Sequence, residues 1–506
     1  MKTNLISRTL LSALVVTMTQ TGCTSTPAPK AGSTDAAWPA MPTPGPAPSF
    51  QIPGSEKLEL DNGIPVTLIR NTKVPLTHVQ MNFYGSRHLE RADQRGLASL
   101  TSNMLSEGTT SKTALEISAA LQTLASRVSF RSSLEYSALS VESLDDKLDE
   151  TLALASDMLH NPAFNPADIE RVKRNTQNAI LTERDDLKQT ADKVFRKMLF
   201  GDNYLGSWAR GSRTTVESLT REDLVAWHSH QWRLSNAGLI VVSGLPTRTI
   251  MVSLNKAFGD FPDDPEAVPA ALPTNPQLNE SRPTYQVHES RTIYWVQKDG
   301  ASQSVVMLGN VAPAFDPTRS TAQQAANSIL GGQFTSRVNM NLREDKGYTY
   351  GARSSVSTYR YGGFYRATAS VKANTTAASL TEFLKELDGI TTTKPITKTE
   401  YENAQSRMLQ GWPAYFERGK GMLSQFAAAD GYQRPDGWLN AYQSRVNSLT
   451  QGKLQEAMKD LIDTSKLAIV IVGDWSIAGK EVEALGLGPI VQLDYDGHSL
   501  ETKPGS

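Results

Sequence analysis

Val216-Glu217-Ser218-Leu219-Thr220 opens a helical stretch that ends in the apolar strand Ile240-Val241-Val242-Ser243-Gly244. About 230 residues later, Val446-Asn447-Ser448-Leu449-Thr450 opens another, which ends in Ile469-Val470-Ile471-Val472-Gly473. Either pentapeptide alone carries no information, but the interval from helix to strand is nearly equal in both copies, which is the mark of a duplication. The chain therefore reads as two similar α+β domains. Between them Pro262, Pro265, Pro269, Pro273, Pro276 and Pro283 stand among small and polar residues, a composition suited to a linker over 263–285. The expected boundaries are 57–262 and 286–485, with 486–506 as a tail.

Local patterns agree with an α+β reading. In Thr77-His78-Val79-Gln80-Met81-Asn82-Phe83, the alternation of Val79, Met81 and Phe83 with polar residues predicts a strand with one buried face. Ser143 is placed to cap a helix whose apolar positions Leu144, Leu148, Leu152, Ala155 and Leu159 recur at helical spacing, with Pro162 as its stop signal.

With 51 basic and 52 acidic residues in 506, the formal net charge is −1, which argues against a polybasic nucleic-acid footprint. The 39% hydrophobic content gives each domain material for a core. The single cysteine, Cys23, excludes intramolecular disulfides and multi-cysteine metal cages. It closes a segment with Lys2 and Arg8, an apolar run from Leu10 through Met18, and the small-residue exit Thr21-Gly22-Cys23. That run is too short to span a bilayer as a helix, and reads as an export signal over 1–23. Gly22-Cys23 resembles a bacterial lipobox, although Gln20 replaces its usual aliphatic residue; the resemblance implies lipidation of Cys23 and, with Thr24 following, outer-membrane sorting. The alternative is ordinary signal cleavage and a soluble periplasmic protein. Residues 24–56, rich in Pro, Ala, Ser and Thr, read as a tether.

Several site classes are absent: there is no GxSxG elbow, GxxxxGK[ST] loop or GxGxxG fingerprint. The seven histidines form neither HExxH nor HxxEH. His228 and His230 are the only close pair, and on a helix an i, i+2 pair points to opposite sides, so they do not share a metal there.

Gly96-Leu97-Ala98-Ser99-Leu100-Thr101-Ser102-Asn103-Met104-Leu105-Ser106-Glu107-Gly108-Thr109 resembles the signature helix of the insulinase/pitrilysin superfamily of zinc metallopeptidases. The resemblance continues through Asn161-Pro162-Ala163-Phe164, Glu170-Arg171 and Leu219-Thr220-Arg221-Glu222-Asp223-Leu224, and in the second half through Leu330-Gly331-Gly332 and Leu342 to Tyr350. It implies that each half is a mixed, mainly antiparallel sheet backed by helices. In active members of that superfamily the helix carries two histidine ligands at i and i+4 and a general-base glutamate at i+3, all on one face. Here those positions are Ser99, Asn103 and Ser102. The family's third ligand falls near Asn178 and Ala179, with Glu183 the nearest acid downstream. The chain alone is expected to bind no catalytic zinc.

Ser336 to Lys346 reads as a helix closed by Gly347, followed by a strand through Tyr348 and Tyr350. The resemblance implies that Arg343 and Tyr350 act on substrate held at a zinc half, the tyrosine donating to an oxyanion and the guanidinium binding a carbonyl or carboxylate. Arg337 is a further candidate. The competing reading pairs Arg343 with Glu344 and makes Tyr350 an ordinary sheet aromatic. Gly331-Gly332 suits either close approach of a substrate backbone or a turn. The expected function is the non-catalytic subunit of a heterodimeric zinc peptidase, whose HxxEH-containing homologous partner carries the zinc and whose peptide substrate enters an enclosed chamber. The alternative is a peptide-binding or scaffold protein of the cell envelope with no hydrolytic role.

Overall fold

Among the described residues, twelve strands form two six-stranded sheets in which five consecutive strands follow the same order. The computed structural model describes residue 45 and residues 49–259 and 289–500, so the export signal, Cys23, most of the tether and the expected linker lie outside the described residues. The first sheet runs β1 (Ser55–Glu59), β2 (Pro65–Arg70), β6 (Ala237–Ser243), β3 (Leu76–Tyr84), β5 (Tyr136–Leu144) and β4 (Arg127–Ser132). The second runs β12 (Ile490–Leu493), β7 (Thr292–Gln297), β11 (Ala468–Gly473), β8 (Gln303–Ala312), β10 (Gly362–Lys372) and β9 (Thr349–Tyr359). Within each, one inner pair is parallel, β2 with β6 and β7 with β11, and the strands on the β3 and β8 side of it are antiparallel; the edge strands differ, β1 pairing antiparallel with β2 and β12 parallel with β7. The two apolar strands that signalled the duplication, β6 and β11, occupy the same central place in the two sheets.

One face of each sheet packs on helices of its own half. In the first half, Leu97, Leu100 and Met104 of helix Leu97–Met104 join Leu148, Leu152 and Ala155 of helix Leu148–His160 against Val79, Met81 and Val141. The other face is covered by a helix from the opposite half. Helix Leu187–Phe200 of the first half places Ala191, Val194 and Phe195 on Val296, Val305 and Val470 of the second sheet. Helix Gly419–Gly431 of the second half places Met422, Leu423 and Ala427 on Ile69, Ile240 and Val242 of the first. Each fully buried large apolar side chain in these layers contributes roughly 1.5–3 kcal/mol, so the exchange binds the halves into one unit, residues 47–506.

This exchange corrects the one-faced reading of strand β3, whose residues from Thr77 through Phe83 are buried on both sides. The polar side chains that alternation assigned to solvent meet the incoming helix instead. Asn82 Nδ2 donates to Ala427 O and to Asp430 Oδ2, both at 2.8 Å, and Tyr84 donates to Asp430 Oδ1 at 2.9 Å.

Ser143 caps no helix: β5 extends through Leu144, a 3₁₀ turn covers Asp145–Lys147, and the helix begins at Leu148. The Ser143 hydroxyl is buried 3.0 Å from that of Thr151. The helix ends at His160, two residues before Pro162, and Leu148, Leu152, Ala155 and Leu159 lie in the core as expected. Two boundaries move. Strand β1 begins at Ser55, and Ile490–Leu493, in the expected tail, pairs in parallel with β7 as an edge strand.

Candidate functional site

The helix Leu97–Met104 that resembles the family's zinc helix begins at Gly96, whose φ of 102° is left-handed. A Cβ there would also stand 2.6 Å from the Arg210 carbonyl oxygen, so only glycine fits. The first turn is capped from a distance by the buried Glu90, whose Oε1 accepts from the Gly96 and Ala98 amides at 3.2 and 2.8 Å. Burial pushes the Glu90 carboxyl up to about 7 against the opposing pull of Arg87 and Arg95.

Hydrogen bonds within the chain engage two of the three motif positions. Ser99 Oγ donates to Ala209 O at 2.7 Å. Ser102 is 2% exposed, with its hydroxyl 2.5 Å from Ala98 O and 2.6 Å from Ser132 Oγ. Asn103 is exposed and lines, with Ser102, Ser129, Asn175, Thr176 and Ala179, a cavity of about 420 Å³.

Of the positions considered for a third ligand, Ala179 faces this cavity and has no donor atom. Glu183 is engaged elsewhere, accepting from Trp208 Nε1 at 2.8 Å and pairing with Arg210. The one carboxylate on the cavity wall, Glu107, is paired with Arg171. Hydroxyls, amides and an ion-paired carboxylate are a poor donor set for Zn²⁺, which takes imidazole, thiolate or free carboxylate in tetrahedral array. The residues present do not fit zinc. Among the described residues, no three His, Cys, Asp or Glu side chains cluster as a metal site. His228 and His230 both lie on helix Arg221–Gln231; His228 Nε2 is 2.7 Å from Leu159 O, and His230 Nδ1 is 3.1 Å from Gln231 Nε2.

In the second half the expected helix is a short α segment, Arg337–Asn339, that widens into a π-helical turn over Met340–Asp345. Gly347 closes it at φ 64°. Arg343 lies on the widened turn, with Nε 3.2 Å from Glu344 and its guanidinium 4.6 Å above the ring of Phe334. Phe334 is itself 56% exposed, and Tyr350, at the start of β9, is 90% exposed. The Glu344 pairing expected of a structural arginine is therefore present, while Tyr350 is not packed into the sheet. Single π-helical turns recur at functional sites, and this one presents Arg343 on an exposed aromatic.

Two other candidates have internal roles. Arg337 grips Glu400 in a fork, Nε to Oε1 and Nη2 to Oε2 at 2.7 Å each, and also donates to Lys394 O and Pro395 O. Gly331 permits a close approach, but to this chain's own strand: a Cβ would lie 2.4 Å from the Ser354 amide nitrogen, and that amide donates to Gly331 O at 2.9 Å. Phe334 and Arg210 were not evident from the sequence. The spacing of an isolated aromatic or arginine carries no signal for stacking or for lining a cavity.

The family model described as Insulinase (Peptidase family M16) matches residues 70–208, and that described as Peptidase M16 inactive domain matches residues 218–408. An uncharacterized zinc protease of Bacillus subtilis is 24% identical over 348 residues, covering 69% of this chain and 81% of its own length. A Helicobacter pylori protein described as a non-peptidase homolog is 22% identical over 394 residues, covering 78% and 87%. A crystal structure of a peptidase M16 inactive domain from Pseudomonas fluorescens superposes with a TM-score of 0.74 at 20% identity, covering 83% of this chain and 98% of that one. That of a protease from Helicobacter pylori gives 0.75 at 17%, covering 83% and 100%. The two family models match consecutive stretches, the second beginning within the first half, and together cover more than half of the sequence, and the chain belongs to the insulinase family of M16 peptidases.

Proposed function

We propose that this chain is the non-catalytic subunit of a two-chain insulinase-type zinc peptidase. An HxxEH-containing homologous partner carries the zinc, and this chain completes the chamber and presents Arg343 and Tyr350 to the bound peptide. The observation that carries the reading is the contrast between the two halves. The motif positions of the first half are replaced by groups unsuited to zinc, whereas in the second an exposed tyrosine and an arginine on an exposed ring stand at the positions the family resemblance implies. The reciprocal exchange of helices adds support. Halves bound through each other's sheets form a poor clamshell, so an enclosed chamber calls for a second chain. In the complex the Tyr350 hydroxyl donates to the developing oxyanion and Arg343 leaves Glu344 to bind a substrate carbonyl or carboxylate. The export segment and Cys23 support a periplasmic, outer-membrane-anchored location for the assembly. No helix among the described residues is long and apolar enough to cross a membrane.

The test mixes this protein with an HxxEH-containing homologue from the same organism and follows peptide hydrolysis. A rate increase that falls by a factor on the order of 10²–10³ in Tyr350→Phe or Arg343→Ala supports the proposal. No increase, or an increase that both variants leave intact, rejects it. The cavity at Ser102 favours a second reading: its hydroxyls and amides suit a peptide backbone, so a peptide-binding scaffold would bind peptide without any hydrolysis by the assembled complex.

A further inference from the structure

A second cavity, of about 530 Å³, lies between helix Leu187–Phe200, the loop 201–215 and the turn Asp494–His498. It shares no lining residue with the Ser102 cavity. Arg95, Arg184, Lys193, Lys197, Arg213 and His498 reach its wall, against the two carboxylates of Asp202 and Asp496. The acids leave part of this charge uncancelled. Asp496 is shared between Arg184, at 2.9 Å, and Lys193. Asp202 acts on Arg95, whose guanidinium also donates to the Asp202 carbonyl at 3.2 Å.

Lys197 and Arg213 remain. Lys197 Nζ stands 3.0 Å from His498 Nε2, and His498 Nδ1 stands 3.1 Å from Asp494 Oδ2. With Nδ1–H donating to the carboxylate, Nε2 is the acceptor for the ammonium. The imidazole contact aims the lysine. Arg213 is exposed, and no carboxylate among the described residues lies within ion-pair distance of it.

The same cavity has an apolar part. Trp208 and Ile180 line it, and the indole N–H of Trp208 is tied to Glu183 at 2.8 Å. A volume of this size, lined by an indole, an isoleucine and several charges, suits a small organic ligand. We propose that this cavity binds a small organic anion, its carboxylate or phosphate held by Lys197 and Arg213 and its body packed on Trp208 and Ile180. The proposal is independent of the peptidase-subunit reading.

Calorimetric titration of the full chain at fixed ionic strength tests it, with phenyl phosphate, N-acetylphenylalanine and N-acetylphenylalanine amide as probes. The expected result is saturable one-to-one binding of at least one acid in the millimolar range or tighter, with no binding of the amide. Which acid binds identifies the ligand as a phosphate or a carboxylate. The double variant Lys197→Gln/Arg213→Gln is expected to bind about tenfold or more weakly with an unchanged melting temperature, and Lys197→Arg to retain binding. The proposal is overturned if neither acid saturates, if the amide binds as well as its acid, or if the double variant binds like the parent.

Discussion

The hydroxyls of Ser102 and Ser132 lie 2.6 Å apart, tying the motif helix to edge strand β4 at the position where the family's active members carry the general base. Ser132 Oγ also donates to Ala98 O at 2.9 Å, so the two serines and one helix carbonyl form a closed internal group. The site is filled by its own hydrogen bonds. A longer acidic side chain there would reach into the adjoining cavity and break this group.

Ser102→Glu is accordingly expected to lower stability by about 1–3 kcal/mol through loss of these buried hydrogen bonds, read as a fall in melting temperature. The triple variant Ser99→His/Ser102→Glu/Asn103→His is expected to bind zinc substoichiometrically, because Ala179 supplies no third ligand. Adding Ala179→Glu should raise the bound metal toward one per chain. Equal zinc content in the triple and quadruple variants would contradict this account of the cavity.

Phe195 is fully buried on the opposite half's sheet, with its ring 6.1 Å from that of Phe364. Phe195→Ala is expected to cost about 3–5 kcal/mol, and, because the helix exchange binds the halves, to lower a single unfolding transition of the whole body. Two calorimetric transitions, only one of which shifts, would show that the halves unfold separately.

Arg337 and Arg343 are six residues apart and are expected to differ in kind. Arg337→Ala breaks the fork on Glu400 and should cost about 2–3 kcal/mol of stability while leaving the partner-stimulated rate intact at a permissive temperature. Arg337→Lys should recover little, since an ammonium cannot reproduce the two parallel bonds. Arg343→Ala should do the reverse, with a normal melt and a lost rate.

Burial holds His88 down to about 4 and His160 down to about 3, so both are neutral in the folded chain at pH values where a solvated imidazole is charged. A depressed folded-state value gives stability that is complete above about pH 6.5 and is lost as pH falls toward those values. For His88 the loss amounts to roughly 3 kcal/mol. Glu90, raised to about 7, acts in the opposite sense, with its contribution present at low pH and lost as pH rises through 7. The informative measurement is therefore the difference between parent and His88→Gln melts from pH 7.5 to pH 4. That difference should shrink as the pH falls; a constant gap would refute the titration of His88.

Much of this was legible along the chain. The repeated helix-to-strand signals located β6 and β11, and the stretch Gly96–Thr109 located the degenerate motif, because both depend on residue types at fixed local spacing. Gly347 was legible as a helix terminator for the same reason, and its φ is positive. Ser143 misled because a hydroxyl before an apolar periodic run looks the same whether it caps a helix or ends a strand.

The sequence by itself determined the duplicated α+β plan and the loss of zinc-binding chemistry, since an absent imidazole or carboxylate is absent in any fold. Only the tertiary structure decided that Asn82 and Tyr84 face a helix of the other half rather than water, that Arg337 is committed to Glu400 while Tyr350 stands exposed, and that Lys197 and Arg213 share one cavity with Trp208. These outcomes depend on contacts between residues far apart in the chain. Periodicity states which face of a strand is apolar, whereas the partner of each face is set by packing across the whole molecule.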